Sequence, residues 1–345
     1  MLKSRKTAIP VLLLLLTVTI TVSTAIGSTK ISPFITAQIM LNSFLELLLL
    51  SKYTGIYVSI QGAWSTSQEI IVTQIRMPRV ILAVLVGASL ATAGCVMQAL
   101  FKNPMADPYI IGMSSGAALG ASVAFFFNMP VQVTSFIVTA VTIFVVYNIA
   151  RVDGKVPTDT LLLAGIAVGF FLSAITSFII YLSHSPQNII YWMMGGFWNS
   201  TWNRVYITAA LAIIGIVALY RHSWSLNVML LGEEQAHHLG INIEYVKKEV
   251  LIFSALITAA AVSVSGIIGF VGLIIPHIMR IIVGPDHRIL LPASTIAGAI
   301  FLVFSDTIAR TAMNSVELPV GIITAMFGAP FFIYLLRKRR KKIYA

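Results

Sequence analysis

The sequence predicts an all-α polytopic membrane protein with about ten transmembrane helices, some short or broken, forming a single bundle over residues 1–345. Hydrophobic side chains make up 58% of the chain and charged ones 10%, whereas soluble domains carry about 25% charged residues. At about 20 apolar residues per crossing, the chain has room for roughly nine or ten crossings. Lys and Arg fall between the hydrophobic runs. The net charge of +11 would suit nucleic acid only if the basic residues shared a soluble face, so no nucleic-acid partner is expected. The single cysteine, Cys95, sits inside an apolar run. That excludes a disulfide framework, an iron–sulfur cluster and a multi-cysteine zinc site.

Lys3, Arg5 and Lys6 precede an apolar run from Ala8 to Ile26. A cleavable signal peptide could look like this, because Ser23 to Ser28 offers small residues for cleavage. In a chain with many later spans, an uncleaved first helix is the favoured reading. Residues 28–75 are mixed, with Glu46, Lys52 and Glu69 interrupting or following the apolar patch from Phe44 to Leu50. They predict an external or interfacial segment. Further spans are expected at about 80–101, 108–127, 130–150, 158–182, 204–220, 249–266, 267–283, 289–309 and 318–336. The pair at 249–283 is short for two full crossings and is punctured by Gly266, Gly269, Gly272 and Pro276. A full helix followed by a short, broken one is expected there. Asn103 to Gly120, with Pro104, Pro108, Gly112 and Gly116, has the same punctuation. Broken helices survive at membrane depth only where protein or a water-filled cavity surrounds the freed backbone. Two such interruptions point to an internal structural repeat, although no strong sequence repeat accompanies them.

Ten spans put both termini on one side, and the basic tail from Arg337 to Lys342 assigns that side to the cytoplasm. Lys30, Lys52, Arg76, Arg79, Arg204 and Arg310 then lie outside, leaving 17 of the 23 Lys and Arg inside. A nine-span layout would separate the basic tail from the basic N-terminus.

Arg76 and Arg79 flank a helix start on the outer side, and Arg310 ends another span there. A guanidinium pairs bidentately with carboxylates, so docking of an acidic partner and ordinary interfacial anchoring both stand. The longest polar stretch, 222–248, holds Gly232-Glu233-Glu234-Gln235-Ala236-His237-His238-Leu239-Gly240. This has the composition and terminal glycine of a short helix closed by a turn. A helix docked in a partner's groove and a solvated connection both fit. His237 and His238 are adjacent, so on a helix they diverge by about 100° and make a poor metal pair. The only Gly-Lys pair, Gly154-Lys155, is followed by Val156; without a phosphate-binding loop, ATP hydrolysis by this chain is not expected. His277, Arg280, Asp286, His287 and Arg288 are better explained as a solvated cytoplasmic turn than as a catalytic or metal site. Tyr191 to Met194 fits an interfacial aromatic belt. No catalytic residue, metal site or cofactor is expected.

Several motifs occur in a telling order: Arg76-Met77-Pro78-Arg79, Gly94-Cys95-Val96-Met97-Gln98, Asn103-Pro104-Met105-Ala106-Asp107-Pro108, and Gly112-Met113-Ser114-Ser115-Gly116-Ala117. Leu163-Ala164-Gly165, Tyr191-Trp192-Met193-Met194-Gly195-Gly196, Gly269-Phe270-Val271-Gly272-Leu273-Ile274-Ile275-Pro276-His277, Asp286-His287-Arg288 and Glu317-Leu318-Pro319-Val320-Gly321 follow. With this ordered set, from about Arg76 to Lys338, the chain resembles the FecCD family of permeases, the membrane subunits of ABC importers for iron-siderophore, haem and cobalamin.

The resemblance implies a ten-helix subunit of the type II importer kind. It implies a homodimer around a central pathway, two cytoplasmic ATPase subunits and one external substrate-binding protein. Glu233, Ala236 and Gly240 match the family's coupling loop, which would rest on the ATPase. Arg76, Arg79 and Arg310 match arginines that receive acidic residues of the binding protein. Asn103 and Met105, and with them Thr158, match positions near the cytoplasmic gate. Met105 stands where the family usually has Leu, and is a similar apolar plug. Residues 31–74 are longer and less familiar than the family pattern. The expected function is therefore a multi-pass permease of the cytoplasmic membrane, surrounded by lipid, importing a chelated metal compound. Iron-siderophore comes first and cobalamin or haem is the alternative. An ion-coupled secondary transporter would need ionisable residues inside spans; Asp107 and Asp306 come closest to meeting that need. A membrane-embedded enzyme would need a nucleophile–base or metal constellation within a span, and the sequence has none.

Overall fold

The computed structural model describes residues 2–27, 29–48, 62, 64–313 and 316–343. Among them, regular structure is helical apart from one isolated bridge between Val152 and Lys155. The helices are α1 (Leu2–Ala25), α2 (Pro33–Leu48), α3 (Thr66–Leu100), α4 (Met113–Phe127), α5 (Val131–Ala150), α6 (Thr158–Leu182) and α7 (Pro186–Met193). Then come α8 (Trp202–Arg221), α9 (Ser223–Met229), α10 (Glu233–His238), α11 (Ile243–Ser265), α12 (Val271–Val283), α13 (His287–Thr311) and α14 (Val320–Ile343). Seven of them, α1, α3, α5, α6, α8, α11 and α13, are long and apolar enough to cross a membrane. Of the four shorter apolar helices, α2, α4, α12 and α14, the last three complete the ten hydrophobic runs expected from the sequence, and α2 lies outside those runs.

The stretch expected as an external or interfacial segment, 28–75, contains the apolar helix α2 and the first residues of α3, which begins at Thr66, well before residue 80. Residues 49–61 and 63 lie outside the described residues. The early start of α3 has a local cause. Ser65 Oγ accepts from Gln68 N at 3.3 Å and Gln68 Oε1 accepts from Ser65 N at 3.0 Å, a capping box that satisfies two helix-end donors reciprocally. A π-type turn at Ile71–Arg76 follows, and the Thr73 carbonyl within it accepts from Trp202 Nε1 at 2.9 Å.

From Val80 onward α3 is buried along nearly its whole length and forms the axis of the bundle. Its small residues allow this. A Cβ on Gly94 would lie 2.1 Å from the Gly272 carbonyl oxygen, and one on Gly87 would lie 2.3 Å from that of Gly298. Helices α12 and α13 thus press backbone to backbone against α3, as small residues permit between membrane helices. Pro276 lacks an N–H, so the Gly272 carbonyl has no partner within α12. Gln98 supplies one, with Nε2 donating to Gly272 O at 3.1 Å and Leu273 O at 3.2 Å. Its Oε1 accepts from Arg280 Nη1 at 3.0 Å.

Both expected interruptions are present. A short 3-10 turn at Pro108–Ile111 ends in left-handed Gly112, φ +84°. Between α11 and α12 the chain turns through Gly266 (φ +67°) and Phe270 (φ +70°). The freed backbone there is covered by protein: Gly196 N donates to Ser265 O at 2.7 Å and the Tyr109 hydroxyl to Ile268 O at 3.2 Å. Gly196, at the end of the motif that begins at Tyr191, and Tyr109, just after Pro108, thus close this break.

Candidate functional site

The polar stretch 222–248 is two short helices and a helix start rather than a loop. Helix α10 ends in a Schellman turn: Ile241 N donates to Ala236 O at 3.1 Å and Gly240 N to His237 O at 2.9 Å. Gly240 has φ +78°, and the paired apolar residues of the motif, Ala236 and Ile241, are both buried. A Cβ on Gly240 would meet nothing within 4 Å. Around this turn Leu230, Leu231 and Leu239 are exposed. A groove of about 480 Å³ lies alongside, lined in part by Lys155, His237, Gly240, Asn242 and Glu244. Glu233 opens α10.

The stretch is also tied down by side-chain contacts that the sequence did not show. His222 Nε2 and Glu249 Oε2 are 2.6 Å apart, and the Tyr245 hydroxyl donates to the other Glu249 oxygen. Asn227 of α9 donates to Asp286 Oδ1 at 2.7 Å and accepts from the backbone N of His287 at 2.8 Å. Asp286 caps α13 and is gripped by Arg288, with Oδ2 2.7 Å from Nη2. Hydrogen bonds from Arg288 hold the Asp286 carboxyl well below the usual carboxylate range. The charged residues at 286–288 thus anchor α9 to the start of α13. The sequence suggests a solvated turn here and does not show their bonds to Asn227.

Asn103 and Met105 share the exposed turn after α3, where Asn103 Oδ1 accepts from Met105 N at 2.9 Å. Thr158 opens α6 and hydrogen-bonds to neither among the described residues. Asp107 closes that turn, buried, with Oδ1 accepting from Tyr109 N at 2.8 Å. Burial pushes its carboxyl up to about 6, against the opposing pull of the Tyr109 amide.

Arg76, Arg79 and Arg310 converge, but on partners within the chain. Arg76 donates to the carbonyls of Thr24, Ala25 and Thr29 at 3.0, 2.8 and 2.6 Å. This satisfies orphan acceptors at the C-terminus of α1. Arg79 pairs with Asp306 at 2.9 Å and with Glu317 at 2.7 Å. Arg310 pairs with Asp306 at 3.2 Å and donates to Ser23 O at 2.9 Å. Of the two acids, Asp306 is 1% exposed and Glu317 44%.

A bundle of apolar helices broken at two protein-lined points, with a folded polar platform at one end, is the body of a membrane transport subunit. The chain belongs to the FecCD transport family, whose profile matches residues 14–338. It is the permease of an ABC importer and a multi-pass membrane protein. It is 48% identical over 278 residues to the cobalamin import system permease protein BtuC of Halobacterium salinarum, covering 79% of this chain and 74% of the relative. It is 36% identical over 325 residues to the hemin transport system permease protein HmuU of Yersinia pestis, covering 88% and 97%. Among solved structures, an inward-facing transporter of the metal-chelate ABC type superposes with a TM-score of 0.81. That match has 30% identity and covers 96% of this chain and 98% of the other.

Proposed function

We propose that this permease imports cobalamin, a bulky corrin chelate of a metal ion. The observation that carries the proposal is the 48% identity to a cobalamin import permease. Haem is the second reading, on the 36% identity to a hemin permease. Both relatives weigh against the iron-siderophore that the sequence alone put first.

In this reading two copies form the pathway, two ATPase subunits sit on the face of α10, and a substrate-binding protein docks on the opposite face. The Schellman turn at Ala236 to Ile241 and the exposed leucines beside it support α10 as the coupling element. Glu233, Ala236 and Gly240 would take the ATPase's movement, and Asn103, Met105 and Thr158 would border the cytoplasmic gate. Both termini would be cytoplasmic, with 28–75 outside. Docking on Arg76, Arg79 and Arg310 would proceed by partner exchange, an incoming carboxylate taking Arg79 from exposed Glu317.

The test is uptake into proteoliposomes holding permease, ATPase and binding protein, with labelled cobalamin, hemin or a ferric siderophore supplied in turn. ATP-dependent accumulation of cobalamin alone is expected. Accumulation of only one of the others would overturn the assignment, and uptake persisting without the ATPase would favour an ion-coupled carrier.

A further inference from the structure

On the flank of the bundle, α5 and α11 enclose a groove that plays no part in the coupling platform, the gate turn or the arginine cluster. Its volume is about 490 Å³, within the roughly 300–1,000 Å³ usual for small-molecule sites. The two helices run antiparallel, so Arg151 at the end of α5 and Lys248 near the start of α11 stand at the same mouth. From that mouth the walls are apolar, with Phe144 69% and Ile252 50% exposed. They continue to Phe136 on α5 and Ala259 on α11. At 1.5 Å per residue the two walls are about 22 Å and about 16 Å long, against about 15 Å for half of a hydrocarbon core. The groove is thus deep enough for an acyl chain of one leaflet and has a doubly basic entrance at its edge.

Neither Arg151 nor Lys248 has an ion pair or a side-chain hydrogen bond among the described residues, and both are exposed. The nearby acid on α11, Glu244, is already held by Lys247 at 3.2 Å and by Val156 N at 3.0 Å. Two uncommitted cations at the end of a leaflet-deep apolar slot match a phosphate group carried on an acyl chain. A zwitterionic headgroup would bring its own ammonium against them. Basic pockets between membrane helices favour anionic headgroups for this reason. We propose that the groove between α5 and α11 binds one anionic phospholipid, with its phosphate between Arg151 and Lys248 and a chain lying along Phe144 and Ile252.

The test is native mass spectrometry of the full-length permease in detergent, offered dioleoyl-phosphatidylglycerol or dioleoyl-phosphatidylcholine at equal concentration. One phosphatidylglycerol retained per chain is expected, under activation that strips phosphatidylcholine. Removing both charges (R151Q with K248Q) should weaken retention about thirtyfold. Filling the apolar slot (A140W) should abolish it with both charges in place; Ala140 is exposed, so the indole occupies the groove and not the core. Equal retention of the two lipids, or undiminished phosphatidylglycerol on R151Q/K248Q, would overturn the proposal. So would oxidative joining of two copies through F144C, which would make the groove an interface between copies.

Discussion

Asp306 is almost wholly buried between Arg79 and Arg310, and its replacement by Asn leaves Arg310 without a counter-charge and Arg79 with Glu317 alone. Breaking a buried pair in this way costs on the order of 3 kcal/mol or more. D306N should therefore melt well below the native chain in detergent. Glu317 is exposed, so E317Q should cost less than about 1 kcal/mol. If the arginines exchange partners on docking, E317Q should speed association of the binding protein at low salt and R79E should slow it. Rates unchanged by both variants would reduce the cluster to a clasp between α1, α3 and α13. Asp107 makes a second prediction, about pH. Its folded value near 6 lies above an unfolded value of about 3.9, so the folded chain holds the proton more tightly in between. Stability is then greatest below about pH 4 and falls as pH rises to about 6, by on the order of 2–3 kcal/mol. D107N, which keeps the capping oxygen, should flatten that slope; an identical slope in both proteins would mean another group titrates. The sequence showed these charges but not their partners. Arg76 read as an outward ion, whereas its ligands are three carbonyls at the end of a helix some fifty residues away.

Helix α10 shows how far local pattern reaches. Its terminal glycine and helical composition foretold a short helix closed by a turn, because the Schellman motif is written in neighbouring residues. G240W should fold, since the new side chain enters open space and bears only the penalty of a positive φ, about 1 kcal/mol. If α10 is the coupling element, G240W should still lose ATPase co-purification and ATP-driven uptake, because the indole would project into the face proposed for the ATPase. Normal uptake by G240W would remove α10 from the coupling path. The break at α12 was legible too, from Gly266 to Pro276. What repairs it was not, since Gln98 meets Gly272 across 174 residues. Q98A should cost about 1–3 kcal/mol by orphaning that carbonyl and a bond to Arg280, read as a lower melting temperature. The start of α3 was misplaced for a related reason. Glu69, Arg76 and Arg79 cut the hydropathy run, and only the capping box and their tertiary partners show that the helix continues.

For the molecule as a whole, the ten runs were readable because a bilayer demands long apolar helices regardless of how they pack. Which helix would be the axis was hidden, since α3 and the largely exposed α6 have similar hydropathy and differ in small residues. The proposed orientation rests on charge alone and can be checked by adding single cysteines. Cys95 is fully buried, so the native chain should supply a nearly silent background. A cysteine at Gly240 should react only with reagent inside the cell, and one at Thr311, beside Arg310, only with reagent outside. Reaction of both from one side would refute the ten-span arrangement.

The axis is filled by α3, with Gly94 and Gly272 in backbone contact. If the passage runs between two copies, as proposed above, the exposed apolar face of α6, with Phe170, Phe171 and Tyr181, offers a wall for it. Transport would then be a property of pairs and sensitive to dilution. In a cell making equal amounts of native chain and a G240W chain, random pairing leaves about a quarter of the pairs wholly native. The defective gene would act dominantly, and uptake would fall with the square of the native fraction instead of in proportion to it.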